Sequence, residues 1–468
     1  MGEVLRSVGI DVGTSTTQLV LSRLTVENRA GAFAVPDLAI ADREILYRSP
    51  IHFTPLQSST VLDAQGIRAI VAQEYDRAGI ARDSVTTGAI IITGETARKE
   101  NARAVLESLS DFAGDFVVAT AGPDLESVLA ARGAGADSYS EKTGKTVLHM
   151  DIGGGTSNLA LIEEGRITQT GCLNVGGRLV KLSPEGVVQY VSPVLAGLTD
   201  LTPGQRAGQA DLAPVTQLLV SCLEAAAGLR PQSEIPGQLL TNRIPSLPQG
   251  PLTLSFSGGV ADLIRESPSD PLVYGDIGVL LGKAIRDSRL CQGDYVLGQE
   301  TIRATVIGAG CHSTQLSGST VFCRNVELPL QDLPVVALSE EEQQLSAAQL
   351  ADRLRQALDR YGEAQGRGIV ALAMPGLPNP GYDAVAGLAD TLALGLEPVT
   401  AAGHPAVVVT GTDMAKALGQ ALTTRLPRGA GLLCLDSLGL EDGSFLDVGA
   451  PLSGGFAFPV VRKTLILS

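Results

Sequence analysis

A short segment near the start of the chain recurs 140 residues later, and this repeat limits the fold more than any other feature. Asp11-Val-Gly-Thr-Ser-Thr-Thr-Gln-Leu-Val-Leu21 lies on Asp151-Ile-Gly-Gly-Gly-Thr-Ser-Asn-Leu-Ala-Leu161. The Asp, the first Gly, a Thr and two Leu coincide, and small polar residues fill the rest of both loops. Apolar runs lead into each copy, Ser7-Val-Gly-Ile10 and Thr146-Val-Leu-His-Met150. Strand, tight glycine turn and alternating strand spell a β-hairpin. Two such hairpins predict two related lobes that open with the same device.

The remaining pattern predicts an α/β fold, because strands and helices alternate to the end of the chain. Helices are expected at 67–81, 213–227, 346–361 and 412–423, and one opening at Gly94. Buried strands are expected at 87–93, 116–120, 252–256, 369–373 and 406–409. The segment Ile302-Arg-Ala-Thr-Val-Ile-Gly-Ala-Gly310 reads as a strand and a glycine turn. These signals divide the 468 residues into a first lobe with an inserted subdomain (1–145), a second lobe (146–291) and a C-terminal α/β region (292–468).

Composition narrows the partners. The net charge is −15, no basic run stands out, Trp is absent and aromatics make up 4%. That argues against a nucleic-acid surface, which needs basic patches and stacking rings. No run of about 18 apolar residues occurs, so no membrane helix is expected. Six scattered cysteines without a CxxC pair predict reduced thiols and no zinc ribbon. A soluble cytoplasmic protein is expected.

The loops suit a nucleoside triphosphate. A turn rich in Gly, Ser and Thr aims backbone N–H groups at anionic oxygens. Gly13, Thr14, Ser15 and Thr16 form one such cradle, and Gly153, Gly154, Gly155 and Thr156 the other. Neither loop holds Lys or Arg, so Mg²⁺ is expected to share the phosphate charge. Mg²⁺ keeps most of its waters and takes one or two carboxylates, which Asp11 and Asp151 supply. Asp11, Asp151 or Glu95 would orient an attacking water. Glu95 has an equal reading as an acidic residue at a helix N-terminus. Ser257, Gly258 and Gly259 fit either a plain strand-to-helix turn or a seat for adenosine.

Three decoys fail on their surroundings. Thr143-Gly-Lys-Thr146 lacks the leading Gly of a P-loop, since Tyr139 stands there, and a strand follows it. Gly308-Ala-Gly310 lacks the third Gly of a dinucleotide fingerprint, since Ser313 stands there. Ser257 lacks the leading Gly of a nucleophile elbow, since Ser255 stands there.

The paired hairpins and Ser257-Gly-Gly-Val260 resemble the phosphate and adenosine motifs of the actin-like ATPase superfamily. The resemblance implies a two-lobed actin-like ATPase fold of duplicated ribonuclease-H-like lobes that close over Mg-ATP. It puts the two connecting helices near Thr93–Ala97 and Tyr274–Gly282. Ile92-Thr-Gly-Glu-Thr-Ala-Arg-Lys-Glu-Asn-Ala102, Phe256-Ser-Gly-Gly-Val-Ala-Asp262, the segment Thr305 to Thr320 and Asp442-Gly-Ser-Phe-Leu-Asp-Val-Gly-Ala-Pro-Leu452 resemble the EutA family of ethanolamine ammonia-lyase reactivating proteins. That resemblance runs nearly end to end. It implies a chaperone-like ATPase whose client, ethanolamine ammonia-lyase, uses adenosylcobalamin. It also implies a bacterial cytoplasmic setting, often beside a microcompartment. No Asp-x-His-x-x-Gly run occurs, so cobalamin is expected to be the client's ligand. The client surface is expected between the hairpins or after residue 290. Oligomeric state stays open, a homo-oligomer included. The rival readings are a small-molecule kinase and an actin-like filament protein.

Overall fold

The first hairpin joins β1 (Glu3–Val12) to β2 (Thr16–Asn28) in antiparallel register, with Asp11 opposite Gln18 and Val12 opposite Thr17. The computed structural model describes residues 3–13, 16–30, 38–58, 61–93, 96, 99–112, 123–312, 314–317, 320–365, 369–436, 438–440, 444–452 and 457–463. β3 (Leu38–Arg48) and β4 (His52–Phe53) pair with β2, and β5 (Thr87–Ile92) runs parallel to β1. Helix α1 (Ala64–Ala78) covers one face. It starts where the Asp63 carboxylate accepts the Gly66 N–H, and it ends at Gly79 in the left-handed region, the usual stop for a helix. Val8, Ile10, Val12, Ile90 and Ile92 pack against Ile67, Val71 and Tyr75. Each such side chain contributes about 1.5–3 kcal/mol when fully buried. α2 (Ala102–Leu109) begins later than the helix expected at Gly94, and 116–120 lies outside the described residues.

After α3 (Pro123–Gly133) and α4 (Ala136–Thr143) the device repeats. β6 (Thr146–Ile152) and β7 (Ser157–Glu163) form the second hairpin, with Asp151 opposite Asn158. β8 (Arg166–Leu173) follows β7. β9 (Val180–Leu182) and β10 (Val188–Val191) form a small pair. α5 (Gln209–Ala226), β11 (Leu252–Ser257), α6 (Gly259–Arg265), α7 (Gly278–Arg286) and β12 (Tyr295–Leu297) complete the lobe. The sheet order is β8-β7-β6-β11-β12, and the first sheet runs β3-β2-β1-β5. In each, a three-strand antiparallel meander is extended by parallel strands beside its first strand. The same topology is thus built twice, and the second sheet draws β12 from beyond residue 291.

The lobes are tied by helices that follow one sheet and pack on the other. α3 comes after the first sheet but lies on β6, β7 and β8. α8 (Ala304–His312) comes after the second sheet but lies on β1, β2 and β5. The two helices cross each other, and glycine allows the approach. A methyl on Gly133 would sit 1.8 Å from the Ala304 carbonyl oxygen, and one on Gly308 would sit 2.0 Å from that of Leu129. This corrects two expectations. Residues 304–310 are helix, not strand and turn, because their small residues serve helix crossing. The crossing helices are α3 and α8; Tyr274–Gly282 is a turn and the start of α7.

The C-terminal region has its own sheet, formed by β13 (Thr314–Leu316), β14 (Phe322–Arg324), β15 (Leu330–Ala337), β16 (Ala371–Met374), β17 (Ala406–Thr410), β18 (Leu432–Asp436), β19 (Phe445–Val448) and β20 (Pro459–Lys463). Its order is β13-β20-β19-β15-β16-β17-β18-β14, with β15 to β18 parallel. Alternate residues feed two cores. Leu372 and Val408 face α9 (Ala347–Gln365), α10 (Tyr382–Gly395), α11 (Glu397–Ala401) and α12 (Ala415–Thr423), while Ala371 and Val407 face Val448 and Phe458. Burial on both faces accounts for the unbroken apolar strands that the sequence shows here.

Candidate functional site

The hairpin register puts the two repeated aspartates at the ends of the two central strands. Each turn closes identically: Gly13 N–H donates to the Thr16 carbonyl at 2.8 Å, and Gly153 N–H to that of Thr156 at 2.9 Å. The first turn is braced by Thr54, whose hydroxyl donates to the Gly13 carbonyl at 2.8 Å. The second is braced from 177–178, where the Gly177 and Arg178 amides donate to the Gly153 and Gly154 carbonyls at 3.0 and 2.6 Å. Gly153, Gly154, Gly155, Thr156 and Thr16 are half-buried, and Gly13 is buried. Thr14, Ser15 and Glu95 lie outside the described residues.

Each carboxylate is held by a hydroxyl from the neighbouring parallel strand. Thr93 Oγ1, just past β5, donates to Asp11 Oδ1 at 2.9 Å. Ser257 Oγ, at the end of β11, donates to Asp151 Oδ1. Burial pushes the Asp11 carboxyl up to about 7; the Thr93 bond opposes the rise, and the charge of Asp151 adds to it. Burial likewise pushes Asp151 up to about 6 against the hydroxyls of Ser257 and Thr305. Thr305 belongs to α8, so the crossing helix touches the site. Two desolvated carboxylates that feel each other's charge form a hard-oxygen donor set that a divalent cation would relieve. Among the described residues no group of three or more His, Cys, Asp or Glu could hold a metal. A cation here would therefore rest on these two carboxylates, with water and ligand oxygens completing its shell.

The adenosine expectation needs a correction in one respect. Ser257 is fully buried and its hydroxyl is committed to Asp151 and His149, so that side chain turns inward from the cleft. Gly258 adopts φ +86°, and a methyl on it would lie 2.3 Å from the Ile152 carbonyl oxygen. Its glycine is required by packing against the end of β6. Gly259 is half-buried and opens α6. The P-loop decoy is settled by Lys145, which is exposed and pairs with Asp294 at 2.6 Å.

Two residues escaped the sequence reading. Arg178 pairs with Asp276 at 3.0 Å, and its guanidinium lies 5.7 Å from the ring of Phe53 in the other lobe. It brings to the second turn a cation that neither loop contains, and only its distance along the chain hid it. His149 stands two residues before Asp151 with no ligand spacing; its partners lie 106 and 108 residues away on β11.

Two ribonuclease-H-like lobes meeting at a matched pair of carboxylates define a protein of the actin-like ATPase fold. The family model described as "Ethanolamine utilisation protein EutA" matches residues 3–468. Two curated relatives, both named "Ethanolamine ammonia-lyase reactivase EutA", are 39% identical, each covering 98% of this chain and 98% of its own length. One is from Salmonella typhimurium strain LT2 and the other from Escherichia coli strain K12. The chain belongs to the EutA family. Among solved structures, the ethanolamine utilization protein EutJ from Carboxydothermus hydrogenoformans is 17% identical, with a TM-score of 0.34, covering 66% of this chain and 89% of that one. Among the described residues no helix is long and apolar enough to cross a membrane.

Proposed function

We propose that this chain is an ATP-dependent, chaperone-like reactivating factor for adenosylcobalamin-dependent ethanolamine ammonia-lyase. It promotes exchange of damaged cobalamin for intact cofactor during ethanolamine utilisation. The observation that carries the reading is the pair of cleft carboxylates at matched register, on a chain 39% identical over nearly its whole length to two proteins named ethanolamine ammonia-lyase reactivases.

Asp11 and Asp151 would hold hydrated Mg²⁺, which when bound shares the charge of the phosphates. The turns that Gly13 and Gly153 close would cradle those phosphates with the amides of Thr14–Thr16 and Gly154–Thr156, and the backbone of Gly258 and Gly259 would support the adenosine. Arg178 adds positive charge at the cleft mouth. Asp11, Asp151 and Glu95 are the candidates to orient water. Phosphoryl transfer needs little more from a protein than position and charge stabilisation. Because α3 and α8 each pack on the other lobe's sheet, a change in the angle between lobes is transmitted through one small crossing. A client that prefers one lobe angle is strained by the difference in its affinity for the two states. The setting is the cytoplasm, beside a microcompartment where one is present.

The test is consumption of ATP with no acceptor but water. Steady phosphate release that requires Mg²⁺ is expected. ADP formation that appears only when a small-molecule acceptor is added, with the phosphoryl group carried on that acceptor and no free phosphate released, would overturn the reading in favour of a kinase.

A further inference from the structure

The two cleft carboxylates stand at equivalent positions but are supported differently. Among the described residues, Thr93 supplies the side-chain hydrogen bond to Asp11, whereas behind Asp151 a buried polar chain continues. His149 Nε2 lies 2.9 Å from Ser257 Oγ, and His149 Nδ1 lies 3.0 Å from Ser255 Oγ. His149 and Ser257 are fully buried and Ser255 is 1% exposed. All four groups share one sheet face, because His149 pairs with Ser255 and Asp151 with Ser257 across parallel strands β6 and β11.

The direction of the chain follows from what each group can do. A carboxylate only accepts, so Ser257 donates its one hydrogen to Asp151. Its oxygen must then accept, and the donor in reach is His149 Nε2–H. A neutral imidazole carries one N–H, so Nδ1 is bare and accepts from Ser255. The ring is fully buried between two uncharged serine hydroxyls, surroundings that favour its neutral form. Every partner is used, and only one tautomer satisfies all of them.

We propose that His149 is a positioning residue for the cleft: through its Nε2–H it fixes the Ser257 hydroxyl, and through that hydroxyl it aims the Asp151 carboxylate at the cation. The proposal rests on the metal-nucleotide reading of the site. Residues that orient a metal-binding side chain commonly change metal affinity 10–100-fold when substituted.

The experiment uses the full chain and its His149→Gln and His149→Asn variants, titrated with Mn²⁺ in the presence of ADP and followed by electron paramagnetic resonance. Gln places an amide N–H near the site of Nε2, while Asn reaches only the position of Nδ1. Asn is expected to weaken Mn²⁺ binding about 10-fold, and Gln to stay within about threefold of the parent. Equal weakening by both, or parent-like affinity in the Asn variant, would overturn the relay. ¹⁵N-histidine resonances of the parent give a second readout that needs no variant to fold. An Nε2-protonated, Nδ1-bare His149 is expected, and an Nδ1-protonated ring sinks the proposal. A parent that binds no Mn²⁺ with ADP sinks the metal-nucleotide reading itself; failure of the relay alone leaves parental binding intact.

Discussion

Asp11→Asn and Asp151→Asn are each expected to lower ATP hydrolysis at least about 100-fold, and without Mg²⁺ each is expected to leave the protein more stable than the parent at pH 8. The two effects have one cause. Each carboxyl is desolvated, so its folded value stands above the ordinary 3.8, at about 7 for Asp11 and about 6 for Asp151. A carboxyl raised by folding binds its proton more tightly in the folded state. Its penalty is absent below about pH 4, grows as pH rises past the unfolded value, and is complete above the folded value. An amide carries no such penalty and still accepts from Thr93 or Ser257. The stability gap between Asp11→Asn and the parent should therefore open between pH 4 and 7 and stay flat above. One pKa unit is about 1.4 kcal/mol, and half-burial of Asp11 reduces the full shift, so a gap on the order of 2 kcal/mol is expected. Mg²⁺ with nucleotide should close it by stabilising the parent alone. Thermal melts across this pH range, with and without Mg-ADP, make the check. Destabilisation by both variants at pH 8 would show that the carboxylates are structural.

The second large effect lies away from the cleft. Gly308→Ala puts a methyl 2.0 Å from the Leu129 carbonyl oxygen, and Gly133→Ala puts one 1.8 Å from that of Ala304. Both obstacles are backbone, so the α3–α8 crossing must widen. Overpacking of this kind costs about 1–3 kcal/mol or more, a melting shift of several degrees in either variant. Hydrolysis should fall as well, because α8 also carries Thr305, which helps hold Asp151. Gly237→Ala is the control, since nothing lies within 4 Å of its added methyl. Unchanged melting and turnover in Gly308→Ala would mean that the crossing is loosely packed and does not set the lobe angle.

Legibility in the sequence followed how local each signal was. The hairpins were readable because Asp, Gly and Thr sit within six residues of one another. The helices at 64–78, 209–226 and 347–365 were readable from periodicity. α8 was not. Its Thr-Val-Ile-Gly-Ala-Gly run has the branching of a strand and the glycines of a turn, and only contact with α3 and Gly9 explains them. The inward direction of Ser257 is not legible in the sequence, because its partner His149 is 108 residues away. The signal was present as His149-x-Asp151 beside Ser255-x-Ser257, an alternation that becomes informative only once β6 and β11 are known to be neighbours. The same holds for Arg178, which reaches the second turn through the fold.

The most direct test is recovery of cobalamin-inactivated ethanolamine ammonia-lyase mixed with this protein, Mg²⁺ and fresh adenosylcobalamin, with and without ATP. Recovery that requires ATP, and that is lost with Asp151→Asn, is the predicted result. Absence of recovery while ATP is still hydrolysed would contradict the account, leaving a nucleotide site whose client is another protein.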